Sequence, residues 1–268
     1  MFPSLRHPVS RIRRRVLALW VVGVAAALPA FSEAQTLTVA TDSSLLKAMS
    51  EVARGFEATR PGLRVVLVAG EPGALLAQIA NPEAATRFDV LAGTDAETAA
   101  LGVQRRLLRP EVRSAFAGNA LVLVVPPAGG ISTVRVERLA DLARPEVVRI
   151  AVGRINDLPV GRYAREAINA QRLWPSVQRK LVQTDSGTKV LELVQQGDVD
   201  AGFVYATEAA AAGASVRTVG TLPTVTPIRY GALVVTASAQ AALAAEFLDH
   251  LRSTATRAVW QRAGLALP

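Results

Sequence analysis

Residues 149–168 read RIAVGRINDLPVGRYAREAI, and the order of the parts within this stretch decides the fold. Ile150-Ala151-Val152 is a short apolar run that suits a buried strand. Gly153 breaks the run, and a polar loop leads to Pro159. From Val160 onward, Tyr163, Ala164, Ala167 and Ile168 recur at helical spacing. Proline is favoured in the first turn of a helix because its missing N–H has no intrahelical partner there. The loop therefore ends by presenting the N–H groups of Val160 and Gly161 at a helix N-terminus, a natural seat for an anion.

The same strand, polar loop and helix recur on both sides of this stretch. Thr36–Thr41 reads as a strand, and Asp42-Ser43-Ser44 leads into a helix whose apolar face is Leu45, Ala48, Met49, Val52 and Phe56. Leu63–Val68 is a second strand, followed by the loop Ala69–Gly73 and a short helix through Leu76 and Ile79. Phe88–Ala92 is a third strand, before a helix over Asp95–Leu101. Gly118-Asn119 punctuates the chain ahead of the apolar strand Ala120–Val125, which Pro126 to Gly130 closes as a turn. Beyond residue 168, Lys180–Gln183 is a strand that leads through Thr184-Asp185-Ser186-Gly187 into a helix. Ala201–Tyr205, Arg217–Val219 and Ile228–Val235 complete the strands, and Leu243, Phe247 and Leu251 mark a final helix. Strands alternating with helices predict an α/β fold with mainly parallel sheets flanked by helices.

In open α/β sheets, ligands sit beyond the carboxyl ends of the strands. The loops at 42–44, 70–73, 156–161 and 184–187 all lie there, and each opens a helix. A helix N-terminus carries about half an elementary charge, so four converging termini offer roughly +2 without a buried lysine or arginine. That charge balances a dianion.

The first 34 residues read as an export signal. Arg6, Arg11, Arg13, Arg14 and Arg15 form a basic segment, Val16–Ala30 is an apolar run short for a membrane span, and Ser32-Glu33-Ala34 supplies small residues for cleavage after Ala34. Its removal takes four of the chain's eight net positive charges and leaves 234 of 268 residues, enough for one large domain or two small ones. The remaining charge is not clustered into a basic stripe with interleaved aromatics, which argues against nucleic-acid binding. There is no cysteine, and one of the two histidines, His7, leaves with the signal. A lipid-modified cysteine is thus unavailable, and neither a metal site nor a cofactor is expected. Trp174, Trp260 and Tyr163 read as packing residues, and His250 as a solvated or packed helix histidine.

From about Thr36 to Leu267 the chain resembles the periplasmic molybdate-binding proteins of ABC importers, a branch of the type II periplasmic binding proteins. The resemblance is carried by Thr38-Val39, Ser44-Leu45 and Ala48-Met49 in the opening unit, and by Leu75, Gln78-Ile79 and Phe88-Asp89-Val90 in the next. It continues in Gly118 to Val122, in Pro159-Val160-Gly161-Arg162-Tyr163-Ala164 with Glu166-Ala167, and in Gly202-Phe203-Val204-Tyr205. It implies a two-lobed type II periplasmic binding protein fold closing on a tetrahedral oxyanion. Lobe I would take 35–117 with 236–268, and lobe II 118–235. The implied ligand is molybdate or tungstate, and the implied partner an inner-membrane ABC permease, with the receptor a monomer in the periplasm. Carried across, Ser44 gives a hydroxyl and its N–H, Val160 and Gly187 give N–H groups, and Tyr205 gives its phenol.

The second loop departs from the family pattern. Pro72 stands where a serine is usual and offers neither hydroxyl nor N–H, so Gly73 is the substitute donor. Asp42, Ser43, Glu71 and Pro72 are the residues that would modify the pocket. A carboxylate about 4 Å from a unit negative charge costs on the order of 4 kcal/mol at an effective dielectric of about 20. Either Asp42 and Glu71 cap helices and face solvent, or the ligand is a protonated oxyanion or a small organic molecule. Ser44 and Lys47 also form an S-x-x-K, the nucleophile signature of serine β-lactamases. No S-D-N or K-T-G accompanies it, and Lys47 lies on the polar helix face, so a binding protein is the stronger reading and no catalytic residue is expected.

Overall fold

The computed structural model describes residues 35–110, 115–127 and 134–268. The segment read as an export signal, with its expected cleavage site, lies outside the described residues, as does the end of the turn after Val125.

The chain alternates as its periodicity predicts. It runs β1 (Gln35–Asp42), α1 (Leu46–Ala58), β2 (Leu63–Gly70), α2 (Pro72–Ala80), β3 (Val90–Thr94), α3 (Ala96–Gln104), β4 (Ala115–Gly118) and β5 (Leu121–Val125). The second half continues with β6 (Ile150–Gly153), α4 (Pro159–Ala170), α5 (Trp174–Val177), β7 (Leu181–Thr184), α6 (Gly187–Gln196), β8 (Ala201–Tyr205) and α7 (Ala206–Ala212). It closes with β9 (Arg217–Leu222), β10 (Arg229–Val234), α8 (Ala241–Leu251) and α9 (Thr254–Arg262).

Two five-stranded sheets result, ordered β2-β1-β3-β10-β4 and β7-β6-β8-β5-β9. They share one plan. In each, three neighbouring strands run parallel, and the fourth runs antiparallel to them. The fourth strand is the one that comes from the other half of the chain: β10 follows the second sheet, and β5 follows the first. Lobe II therefore ends before Arg229 rather than at residue 235, because Arg229–Val234 pairs with β3 and β4. An apolar strand reads the same in either sheet, so its composition could not assign it.

Alternation along the strands gives each sheet two buried faces, as sheets sandwiched between helices require. Leu37 and Val39 join the core beneath α1, α8 and α9, while Ala40 and Leu91 point to α2 and α3. In the second sheet Leu121, Leu123 and Val125 face α4, and Val122 and Val124 face α6 and α7. The face foreseen for α1 is buried throughout, with Phe56 and Met49 at 0% exposure.

The two crossings lie side by side. Gly118 pairs with Arg229, and the Asn119 N–H donates to the Ile228 carbonyl at 3.0 Å. Gly118 is further tied to the C-terminal segment by reciprocal bonds with Ala266.

Gly161 explains why the helix in the opening stretch begins where it does. A Cβ there would lie 2.3 Å from the Gly153 carbonyl oxygen and 2.5 Å from that of Arg154. The first turn of α4 thus packs directly on the loop leaving β6. Its first N–H groups have no intrahelical acceptor, as at any helix start.

Candidate functional site

The carboxyl ends of the parallel strands are Asp42, Gly70 and Thr94 in the first sheet and Gly153, Thr184 and Tyr205 in the second. A cleft of about 840 Å³ joins the two sets, lined by Glu71, Gly73 and Glu97 from the first lobe and Arg154, Leu158 and Asp185 from the second. Beside it runs a polar layer in which residues distant in sequence touch one another.

That layer starts at Asp42, which is 5% exposed. Its Oδ1 accepts from the Ser44 N–H at 2.8 Å and from the Ser44 hydroxyl at 2.5 Å. The Ser44 Oγ lies 3.1 Å from the hydroxyl of Tyr230. Asn119, on the first crossing, donates through Nδ2 to that same hydroxyl at 3.0 Å and to Thr207 Oγ1 at 2.9 Å. The Tyr230 ring meets Tyr205 edge-on, centroids 6.1 Å apart. Glu208 reaches back three residues to accept from the Tyr205 N–H at 2.9 Å, as an N3 acid does in a capping box. Its carboxylate lies against the Cα of Gly187, where a Cβ would stand 2.3 Å from Oε1.

Acidity at this layer is suppressed. Burial pushes the Asp42 carboxyl up to about 6, against the pull of the two Ser44 hydrogen bonds. Burial also raises Glu208 to about 7, opposed by the bond from Tyr205 and reinforced by Asp42. Glu71 is raised furthest, to about 8, by burial first and then by Asp42, Glu208 and Asp185, with Arg154 opposing. The Tyr205 and Tyr230 phenols are held well above their ordinary range, chiefly by burial. A neutral carboxyl can donate a hydrogen bond, whereas an ionised one only accepts.

A second contact joins the lobes at the cleft wall. Arg162, in the first turn of α4, forms an ion pair with Asp95, and its Nε lies 2.9 Å from a Glu97 oxygen. The Arg162 and Asp95 side chains are only 13% and 9% exposed. Asp95 also caps α3 by accepting from the Thr98 N–H at 2.9 Å.

The expected donors divide into two groups. Ser44, Tyr205 and Gly187 belong to one continuous path of contacts, through Tyr230 and Glu208. Gly73 stands exposed on the cleft wall, and Val160 is buried with its side chain against Gly153. Two expectations need correction. Ser44 gives both its hydroxyl and its N–H to Asp42, so neither stands idle for a ligand. Asp42 does cap the turn Ser43–Leu45, but it is buried rather than facing solvent, and Glu71 lines the cleft without capping α2. Ser43 is exposed, and Pro72 is buried as the first residue of α2.

Sequence reasoning missed Tyr230, Asn119, Thr207, Glu208 and the Arg162 pair. Only Glu208 left a readable sign, an acid three residues after a strand end. The hydrolase alternative loses its geometry: Lys47 is exposed, and the Ser44 hydroxyl is bound to Asp42 and Tyr230. Among the described residues no group of His, Cys, Asp and Glu could hold a metal ion. His250 packs on the Phe56 ring, 5.2 Å between centroids, and Trp260 is buried with its Nε1 donating to the Leu251 carbonyl.

Two mixed sheets, doubly crossed, with a cleft at the facing strand ends, make a two-lobed α/β fold of the kind solute-binding proteins use. Residues 37–266 match the family model described as "Bacterial extracellular solute-binding protein". The chain belongs to that family. Among its relatives, YvgL of Bacillus subtilis, named as a proposed ABC transporter substrate-binding lipoprotein, is 28% identical over 85% of each chain. The molybdate-binding protein ModA of Escherichia coli K12 is 26% identical, over 89% of this chain and 91% of its own. Among solved structures, the Azotobacter vinelandii periplasmic molybdate-binding protein superposes with a TM-score of 0.70 at 23% identity, over 87% of this chain and 99% of that one.

Proposed function

We propose that the protein is the periplasmic receptor of an ABC importer, and that it binds a small tetrahedral oxyanion, molybdate or tungstate, between its lobes. The observation that carries this reading is the set of helix starts at the cleft. The first turns of α2, α4 and α6 all open at the facing strand ends, where their N–H groups favour an anion. The relatives named for molybdate share the chain over most of its length. Val160, Gly187 and Gly73 would donate N–H groups and Tyr205 its phenol. Ser44 would join them on exchanging its Asp42 contact for the ligand. The signal would be removed after Ala34, and the monomeric receptor would deliver its ligand to an inner-membrane permease.

One observation favours a second reading. Asp42 already takes the Ser44 donors, and Glu71 lines the cleft beside Pro72, which stands where a serine is usual, so the site is richer in acceptors than a bare dianion needs. A protonated oxyanion or a small organic ligand bearing its own donors fits that inventory.

Calorimetry against molybdate, tungstate, sulfate, phosphate and a set of small organic acids separates the two. Molybdate and tungstate should bind tightly. The double substitution Ser44→Ala, Tyr205→Phe should weaken them by at least about a hundredfold, since hydrogen bonds to charged groups contribute about 1.5–3 kcal/mol each. Heat with an organic acid and none with any oxyanion would establish the second reading instead.

A further inference from the structure

Glu71 holds an unusual place among the acids at the helix starts. Asp42, Asp95 and Ser186 each spend a side-chain oxygen on a backbone N–H of the turn they open. Glu71 precedes α2 but makes no such bond, and its carboxylate has no hydrogen-bond or ion-pair partner among the described residues. It lines the cleft between the lobes all the same. A structural acid would be tied down, and an idle one would face solvent. This one is half-buried on the cleft wall.

Its surroundings are short of positive charge. Asp42 faces it from the end of β1, Glu208 from α7 and Asp185 from the loop before α6, and the one cation acting against them is Arg154. The Nε of Arg154 lies 3.1 Å from an Asp157 oxygen. Of the other cations on the cleft wall, Arg162 is committed to Asp95 and Glu97, and Arg105 is exposed just past the end of α3. An incoming oxyanion would add charge to a pocket whose carboxylates already outnumber the cations opposing them. Like charges at such range cannot all ionise, and a shared proton resolves the conflict.

On the reading of this cleft as an oxyanion receptor, we propose that the anion is taken up together with one proton, held between the ligand and Glu71. The proton comes from solvent as the lobes close, and no bond is made or broken within the ligand. A protonated carboxyl at position 71 supplies the O–H donor that Pro72 cannot, so it takes the place of the serine hydroxyl usual in this loop. The raised pKa values of Glu71, Glu208 and Asp42 agree with this arrangement. Whether the proton is assigned to Glu71 or to the anion, the uptake per binding event is the same.

Titration of the purified protein with molybdate in buffers of different ionisation enthalpy counts that proton directly. Above about pH 8, where the Glu71 carboxyl of the unliganded protein is ionised, the wild type should take up close to one proton per anion, and its affinity should fall roughly tenfold per pH unit. Glu71→Gln, which keeps a donor and loses the charge, should bind with an uptake reduced by most of that proton and with a flatter pH profile. Glu71→Ser serves as a second variant should the first fold poorly. Anion binding with no buffer dependence, or a Glu71→Gln profile matching wild type, overturns the proposal while leaving the receptor intact. No binding of any oxyanion at any pH overturns both.

Discussion

Gly187 is the residue whose lack of a side chain shapes the site most directly. An added methyl group would stand 2.3 Å from one Glu208 oxygen and 2.7 Å from the other. Gly187→Ala must therefore displace that carboxylate and break its bond to the Tyr205 N–H. Loss of one such bond, with some repacking, should lower stability by about 1–2 kcal/mol. Because α6 and α7 both move, molybdate affinity should fall about tenfold, read by thermal melting and titration side by side. A variant as stable and as tight as wild type would show that Glu208 has no fixed place. At this scale the sequence was legible only where chemistry is local. Asp42 could be flagged because it stands two residues from Ser44, whereas Tyr230 and Asn119 reach the same layer over separations of 186 and 111 residues. Nothing in a strand reading RYGALV or a Gly-Asn turn announces such a meeting.

Among the elements, α4 and α3 make the clearest case. Their first turns are linked across the cleft by Arg162, Asp95 and Glu97. Removing one member of a mostly buried pair strands the other, which costs about 3–5 kcal/mol when burial is complete. With Arg162 and Asp95 still slightly exposed, about 2–3 kcal/mol is the reasonable expectation, taken from the closed form alone. Arg162→Ala should then weaken molybdate at least tenfold while barely changing the unfolding of the open form. Equal losses in affinity and in open-form stability would make the pair an ordinary packing contact. Helices and parallel strands were legible because their apolar periods are strong: α1 shows its buried face outright. Edges were less so. The strand read at Phe88–Ala92 hydrogen-bonds as Val90–Thr94, and β4, only four residues reading AFAG, carries too little pattern to be seen. The partner of β10 was beyond reach, since pairing is a tertiary choice between two sheets of the same plan.

For the molecule as a whole, the raised carboxyls set a direction for pH. Unfolded, Glu71, Glu208 and Asp42 take their ordinary values of 4.5, 4.5 and 3.8, while in the fold they titrate near 8, 7 and 6. The folded chain therefore holds more protons through this window. Its advantage is complete below about pH 4 and is lost as pH climbs towards 8. Thermal melting of the unliganded protein should show the midpoint falling between pH 5 and 9, with Glu71→Gln damping the change. A midpoint that rises over that range would reverse the assignment.

The paired crossings have a mechanical meaning of their own. Two short ribbons, bonded to each other at Asn119 and Ile228, act as the spine of a book rather than as a tether. Such a spine is built to bend about one line and to resist shear, so the expected motion is a gape and shut of the halves and not a slide. A partner docking across both covers would then meet only a narrow series of outlines.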